Sequence, residues 1–228
     1  MKPHRKSALI AAFAALALGT GIAAAAGPMF HQANPNEFDP GHTFLVQAAW
    51  ISGIGCPTNA TYLDYYHNDA KTSYTDPACT TGDSKDKSNE GLLLAKTGPT
   101  ANDAEPYAEL KDLKNATITE VGYDIRKQNS STDPSGSTCS VEAPMFQIVS
   151  SSGVSYIGCN SPAPTSQVVG NGWLRLRWTT SLTNVSAIYI VSQDGQDSLS
   201  ADTSHFGLSV IDNIDLNGTL VGQGPGGH

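Results

Sequence analysis

Residues 206–218 read Phe206-Gly207-Leu208-Ser209-Val210-Ile211-Asp212-Asn213-Ile214-Asp215-Leu216-Asn217-Gly218. Successive side chains of an extended strand point to opposite faces, so Phe206, Leu208, Val210, Ile214 and Leu216 are expected on one face. Asp212 has the same parity. It therefore needs a bulge or a partner that offsets its burial. Asn217-Gly218 is a hairpin-turn signal. Such a strand needs neighbours, and the rest of the chain supplies them. Ala116–Arg126 sets Val121, Tyr123 and Ile125 against Glu120, Asp124 and Arg126, and Trp173–Thr179 sets Leu174, Leu176 and Trp178 against Trp173, Arg175 and Arg177. Further strand candidates lie at 43–50, 61–66, 91–96, 104–110, 144–150, 153–159 and 187–191, the last apolar enough to be buried on both faces. No 3.6-residue period extends through these segments, and turn residues interrupt them often. The expected fold is all-β: a two-sheet antiparallel β-sandwich, with a jelly roll as first choice.

The N-terminus reads as a secretory signal peptide over residues 1–26. Lys2, His4, Arg5 and Lys6 precede an apolar run from Ala8 to Leu18, and Ala24-Ala25-Ala26 gives a small-residue cleavage pattern. Residues 27–42 then form an extended arm, 43–222 the β-sandwich domain and 223–228 a flexible Gly-rich tail. Removing Lys2, Arg5 and Lys6 leaves 10 basic residues against 21 acidic ones, a mature charge of 10 − 21 = −11. That charge disfavours nucleic acid and anionic lipid as partners. No later run is long or apolar enough for a membrane span, so the expected location is secreted, either extracellular or periplasmic.

Four cysteines, Cys56, Cys79, Cys139 and Cys159, suit two disulfides in an exported chain. Three connectivities are possible. Cys56–Cys79 and Cys139–Cys159 are favoured because each closes a short loop, contributing about 3 kcal/mol apiece if unstrained. Long spacings and the absence of C-x-x-C argue against zinc.

The ending Ser209-Val210-Ile211-Asp212-Asn213-Ile214-Asp215-Leu216 is similar to the closing strand of many carbohydrate-binding jelly-roll modules. With Gly91–Thr100 and Gly122–Arg126 it also resembles a group of uncharacterised secreted bacterial β-sandwich proteins, over most of Trp50 to Gly222. The first resemblance implies sugar held by aromatic side chains and a sandwich braced by calcium; the second implies no activity.

Two sets of residues are candidates for binding. Glu120, Asp124 and Arg126 would lie beside Trp173, Arg175 and Arg177 if their strands pair. The guanidinium forks and carboxylates could then bind sugar hydroxyls, and Trp173 could stack on a ring. The competing reading is a face of ordinary ion pairs. Asp83, Asp86, Asn89 and Glu90 offer oxygen ligands for a structural calcium ion, against the alternative of turn chemistry and the opposing charges of Lys85 and Lys87. No nucleophile elbow, zinc-protease motif or distinguishable carboxylate pair appears, so no catalytic residue is assigned. The expected function is a secreted non-catalytic binding module for carbohydrate or another cell-surface polymer. One alternative is a structural or surface-assembly protein that self-associates through the arm and edge strands. A second is a polysaccharide-acting lyase or hydrolase.

Overall fold

The computed structural model describes residues 30, 32–56, 60–64, 70–74, 82–98, 100, 104–127, 144–158, 162–168, 173–192 and 207–225. Thirteen strands occur among them and no helix: β1 (Ala33–Phe38), β2 (Val46–Ser52), β3 (Ala60–Asp64), β4 (Ala70–Tyr74), β5 (Glu90–Lys96), β6 (Glu105–Leu110), β7 (Ala116–Lys127), β8 (Met145–Ser150), β9 (Gly153–Ile157), β10 (Thr165–Val168), β11 (Trp173–Val191), β12 (Gly207–Leu216) and β13 (Thr219–Val221). The β3–β4 hairpin stands apart. The other eleven strands form one sheet ordered β1-β6-β11-β7-β12-β5-β2, with β8 and β10 also on β11, β9 on β8 and β13 on β12. Every pairing among the described residues is antiparallel, and the sheet curls into a nearly closed barrel. Its two ends, β1 and β2, meet through side chains. The Trp50 indole donates to Ala33 O at 2.8 Å, and the Ala48 amide donates to Glu37 Oε1 at 3.0 Å.

The all-β expectation holds. The 19-residue β11 was not expected, because Trp173–Thr179 and Ala187–Val191 read as separate strands. They are one strand bent by register shifts between Thr179 and Leu182 and between Leu182 and Val185. Asn184 sits there with φ 52°, a conformation Asn tolerates better than most residues. The bend lets one strand serve two ladders. Its first half pairs with β10 and β7, its second with β6 and β8. Nor is the second half buried on both faces. Ile188 and Ile190 are fully buried, but Ala187 and Tyr189 on the other face are only half-buried.

Both ladders point apolar side chains into one core. Ile118, Val121, Tyr123 and Ile125 come from β7, Leu174, Leu176 and Trp178 from early β11, and Ile188, Ile190, Phe146 and Ile148 from late β11 and β8. Tyr123 stacks on Phe146 at 5.5 Å and meets Trp178 edge-on at 5.3 Å. Their polar tips are satisfied at the core margin, by Pro144 O for Tyr123 and Pro162 O for Trp178.

β12 corrects the expected face assignment. Its register against β7 shifts between Asp212 and Asp215, and Asn213 takes φ 46°. This bulge exchanges the two faces. Before it, Ile211 enters the main core, while Leu208 and Val210 pack in a second cluster with Cys56 and Trp173; after it, Ile214 and Leu216 enter the main core. Phe206 lies outside the described residues. The Asn217-Gly218 turn joins β12 to β13 with φ 53° and 82°, as a type I′ hairpin requires.

The expected arm is in part a strand. Ala33–Phe38 pairs with β6, and Phe30 and Ala33 are fully buried. The start of the expected tail also engages the fold, through the Gly224 amide on Glu90 Oε2, beside the Gly222 amide at the domain's end on Asp83 Oδ2. Cys56 is buried; Cys79, Cys139 and Cys159 lie outside the described residues. No helix among those residues is long and apolar enough to cross a membrane.

Candidate functional site

The outward faces of the two ladders differ, and both carry polar and aromatic side chains. On the first, β7 and β11 pair as the sequence suggested. Trp173 opposes Arg126, Arg175 opposes Asp124, and Thr179 opposes Glu120. Glu120 thus stands several residues along the ladder from Asp124. Arg175 grips Asp124 with two bonds, Nε to Oδ1 and Nη2 to Oδ2, both 2.8 Å. Arg177 lies 3.5 Å from Asp124 Oδ1 and bonds Asp215 Oδ2 at 2.9 Å through Nε. The Asn213 amide adds a bond to Asp124 Oδ2 at 3.0 Å. Gly122 leaves room for this arrangement, since a Cβ there would lie 2.3 Å from Arg177 Cδ.

This face is covered. Asp124 is 0 % and Trp173 1 % exposed. Arg126 lies 5.1 Å from the Trp173 ring centroid and donates to Ile54 O at 3.2 Å. The loop after β2 descends on the bulge, where the Cys56 amide donates to Asp212 Oδ2 at 2.6 Å. Gly55 is obligatory there: a Cβ would fall 2.0 Å from Glu90 O. Residues 82–90 form the rest of the cover, joined to β12 by the Asp83 amide on Asn213 Oδ1 at 2.7 Å. Burial raises the pKa of Asp212 well above the ordinary carboxylate value, although the Cys56 and Asn213 amides oppose the shift. Burial also raises Asp215, against the pull of Arg177. The bond to Asp124 raises Arg175. The arrangement is a buried ion network that fastens a cover, and its tryptophan ring offers no open face to a ligand.

The oxygen-rich segment belongs to that cover. Asp86 accepts from the Ser88 and Glu90 amides at 3.1 Å, Asp83 from the Lys85 and Gly222 amides, and Glu90 from the Gly224 amide. Asn89 takes φ 52°, and its carbonyl accepts from Gly53 and Gly55. Desolvation lifts the Asp86 pKa to about 6. Among the described residues no group of three or more His, Cys, Asp or Glu is placed to hold a metal ion.

The second face is open. A cleft of about 370 Å³ is lined by Phe38, Glu105, Tyr107, Gln147, Tyr189 and Val191. Register explains why these side chains converge. Glu109, Tyr189, Gln147 and Tyr156 oppose one another in sequence across β6, β11, β8 and β9. Tyr107 opposes Val191 two residues along, and Phe38 opposes Glu105 two further. Directly opposed residues share a face, so Tyr156, Tyr189, Tyr107 and Phe38 make a diagonal aromatic stripe over five strands. Tyr107 and Tyr189 meet edge-to-face at 6.2 Å. Phe38 and Tyr156 are 47 % and 56 % exposed. The cleft lining carries a carboxylate, an amide and phenol groups, which can bond hydroxyls, and no basic side chain among the described residues.

None of these residues was singled out from the sequence. The signal existed in the parity of Glu105-Pro106-Tyr107-Ala108-Glu109 and of Gln147 and Tyr156 in their hairpin. Which strands stood side by side was missing. Neither a protein-family model, nor a curated protein, nor a solved structure matches this chain.

Proposed function

We propose that the protein is a secreted, non-catalytic module that binds carbohydrate through the open face of β1, β6, β11, β8 and β9. The observation that carries this reading is the aromatic cleft, with the Tyr107 and Tyr189 rings beside Glu105 and Gln147. Sugar rings present apolar C–H faces and hydroxyl rims, and aromatic planes flanked by carboxylate and amide groups complement both. The expected site thus moves from Trp173, Arg175 and Arg177 to this cleft. A glycan array followed by calorimetric titration tests it. Binding that is lost in Tyr189→Ala and kept in Trp173→Phe is expected; protein that binds no glycan overturns the reading.

Three structural features complete the proposal. The two ladders pack as the layers of a sandwich of the jelly-roll type, a reading supported by the single core they share. Disulfides Cys56–Cys79 and Cys139–Cys159 hold the long loops, which mass spectrometry of unreduced peptides would test. A structural calcium ion sits with residues 82–90, supported by their carboxylate content; a melting temperature unmoved by chelator would remove it. A second function, self-assembly, is favoured by β9. It pairs only with β8 among the described residues and exposes Val154 and Tyr156. Light scattering across a concentration series distinguishes it.

A further inference from the structure

Resting on the carbohydrate reading, we infer that the ligand is a single, soluble chain of neutral β-1,4-linked sugars lying across the strands, with Tyr189 and Tyr156 as successive stacking platforms. Three observations lead there. First, Tyr189, Gln147 and Tyr156 are in direct register on β11, β8 and β9. Neighbouring strands are about 4.8 Å apart, so two tyrosines separated by one intervening strand stand about 9.6 Å apart. That distance is close to the disaccharide repeat of an extended β-1,4-linked chain, in which alternate rings present the same face. An α-1,4-linked chain coils and does not keep such a repeat along a straight line. Gln147, between the tyrosines, offers an amide donor and acceptor to the hydroxyls of the intermediate ring.

Second, the charge selects a neutral polymer. Glu105 lines the cleft, Glu109 continues the tyrosine row with its charge paired to Lys111, and among the described residues no Lys or Arg lines the cleft itself. The mature chain carries a large negative charge. A uronic-acid or sulfated polymer would meet repulsion there. Third, strands in a sheet rotate by about 20–25° from one to the next, so platforms two strands apart are turned by about 40–50°. A free chain can follow that turn; the flat surface of a crystalline polymer cannot.

Titration of the whole secreted protein with cellohexaose, mannohexaose, chitohexaose, maltohexaose and the corresponding disaccharides tests this. At least one β-1,4-linked hexaose is expected to bind roughly tenfold or more tighter than its disaccharide and than maltohexaose. Tyr156→Ala is expected to weaken that hexaose by roughly tenfold, the upper range for one aromatic contact, with an unchanged melting temperature. Tyr156→Phe is expected to keep most of the binding. Equal binding of maltohexaose, equal binding of the disaccharide, or an indifferent Tyr156→Ala would overturn the β-1,4 assignment while glycan binding stood. Preference for a uronate hexamer or for insoluble crystalline polymer would overturn it too. Silence of every sugar, on the array as well as in titration, would sink the parent reading along with it.

Discussion

The two outward faces of the sheet carry similar alphabets and have opposite fates. On β7 and early β11, Trp173, Arg175, Arg177, Asp124 and Arg126 alternate with core residues. On β6, late β11, β8 and β9, Glu105, Tyr107, Glu109, Tyr189, Gln147 and Tyr156 do the same. Loops cover the first and leave the second open. Under cover, charges must be paired and hydrogen-bonded, because an isolated buried ion is costly. Hence Asp124 receives a two-bond grip from Arg175, a contact from Arg177 and an amide from Asn213. In the open, aromatic rings can stay half-exposed and available. Residues that look most like a binding site can therefore be the ones a fold spends on holding itself together.

That contrast should appear as two kinds of mutant. The largest effect is expected for Asp124→Ala, which leaves Arg175 and Arg177 facing each other without their shared carboxylate. A loss of about 3–5 kcal/mol in urea unfolding is expected. A loss under 1 kcal/mol would show that the network is not a fastening. Trp173→Ala is expected to cost about 3 kcal/mol through the second apolar cluster, and folded Trp173→Phe should bind sugar as the wild type does. If glycan affinity instead falls at Trp173→Phe while stability holds, the two faces have been assigned the wrong way round.

Asn213→Ala comes next. It forces Ala into the left-handed region at φ 46° and removes the bonds to Asp124 and from the Asp83 amide. About 2 kcal/mol is expected, readable from the denaturation midpoint at unchanged slope. On the open face, Tyr156→Ala should change stability by no more than about 0.5 kcal/mol, while acting on binding. A collapse of Tyr156→Ala would erase the distinction between the faces.

A further small effect is that of pH on the cover. Burial raises the folded-state pKa of Asp86 from 3.8 to about 6, so between those values the folded chain keeps a proton that the unfolded chain has lost. This contribution to stability is therefore present at low pH and lost as pH rises through that window. Asp212 and Asp215 are raised as well and act in the same direction. Asp86 is only half-buried, and solvent screening keeps its own share below about 1 kcal/mol. Melting curves at pH 4.5 and 7 should show a smaller difference for Asp86→Asn than for wild type. An unchanged difference would place the titration elsewhere.

Much of the fold was legible because strand alternation and turn chemistry are local. Glu120–Arg126 and Trp173–Thr179 alternate, and do pair; Asn217-Gly218 signals a hairpin, and does turn. Asp212 was legible as an anomaly but not as a face exchange, because a bulge shows only against its partner's register. The bend in β11 escaped notice for the same reason. Phe38 was hidden in a segment that reads as an arm, since a strand with little apolar pattern of its own is recognised only once β6 accepts it. The aromatic stripe draws one residue from each of four strands, so no window of sequence contains it.

The order of residues by itself determined that this chain forms strands, which side chains alternate, and where the tight turns fall. Those properties depend on dihedral preferences and on neighbours two to four positions away. Tertiary structure alone decided which strands adjoin, which outward face lies under the 53–56 and 82–90 segments, and so which polar residues are buried ion pairs. Burial is a property of distant chain segments meeting. It converts the same arginine, aspartate and tryptophan from a surface that could meet a ligand into an interior that must satisfy itself.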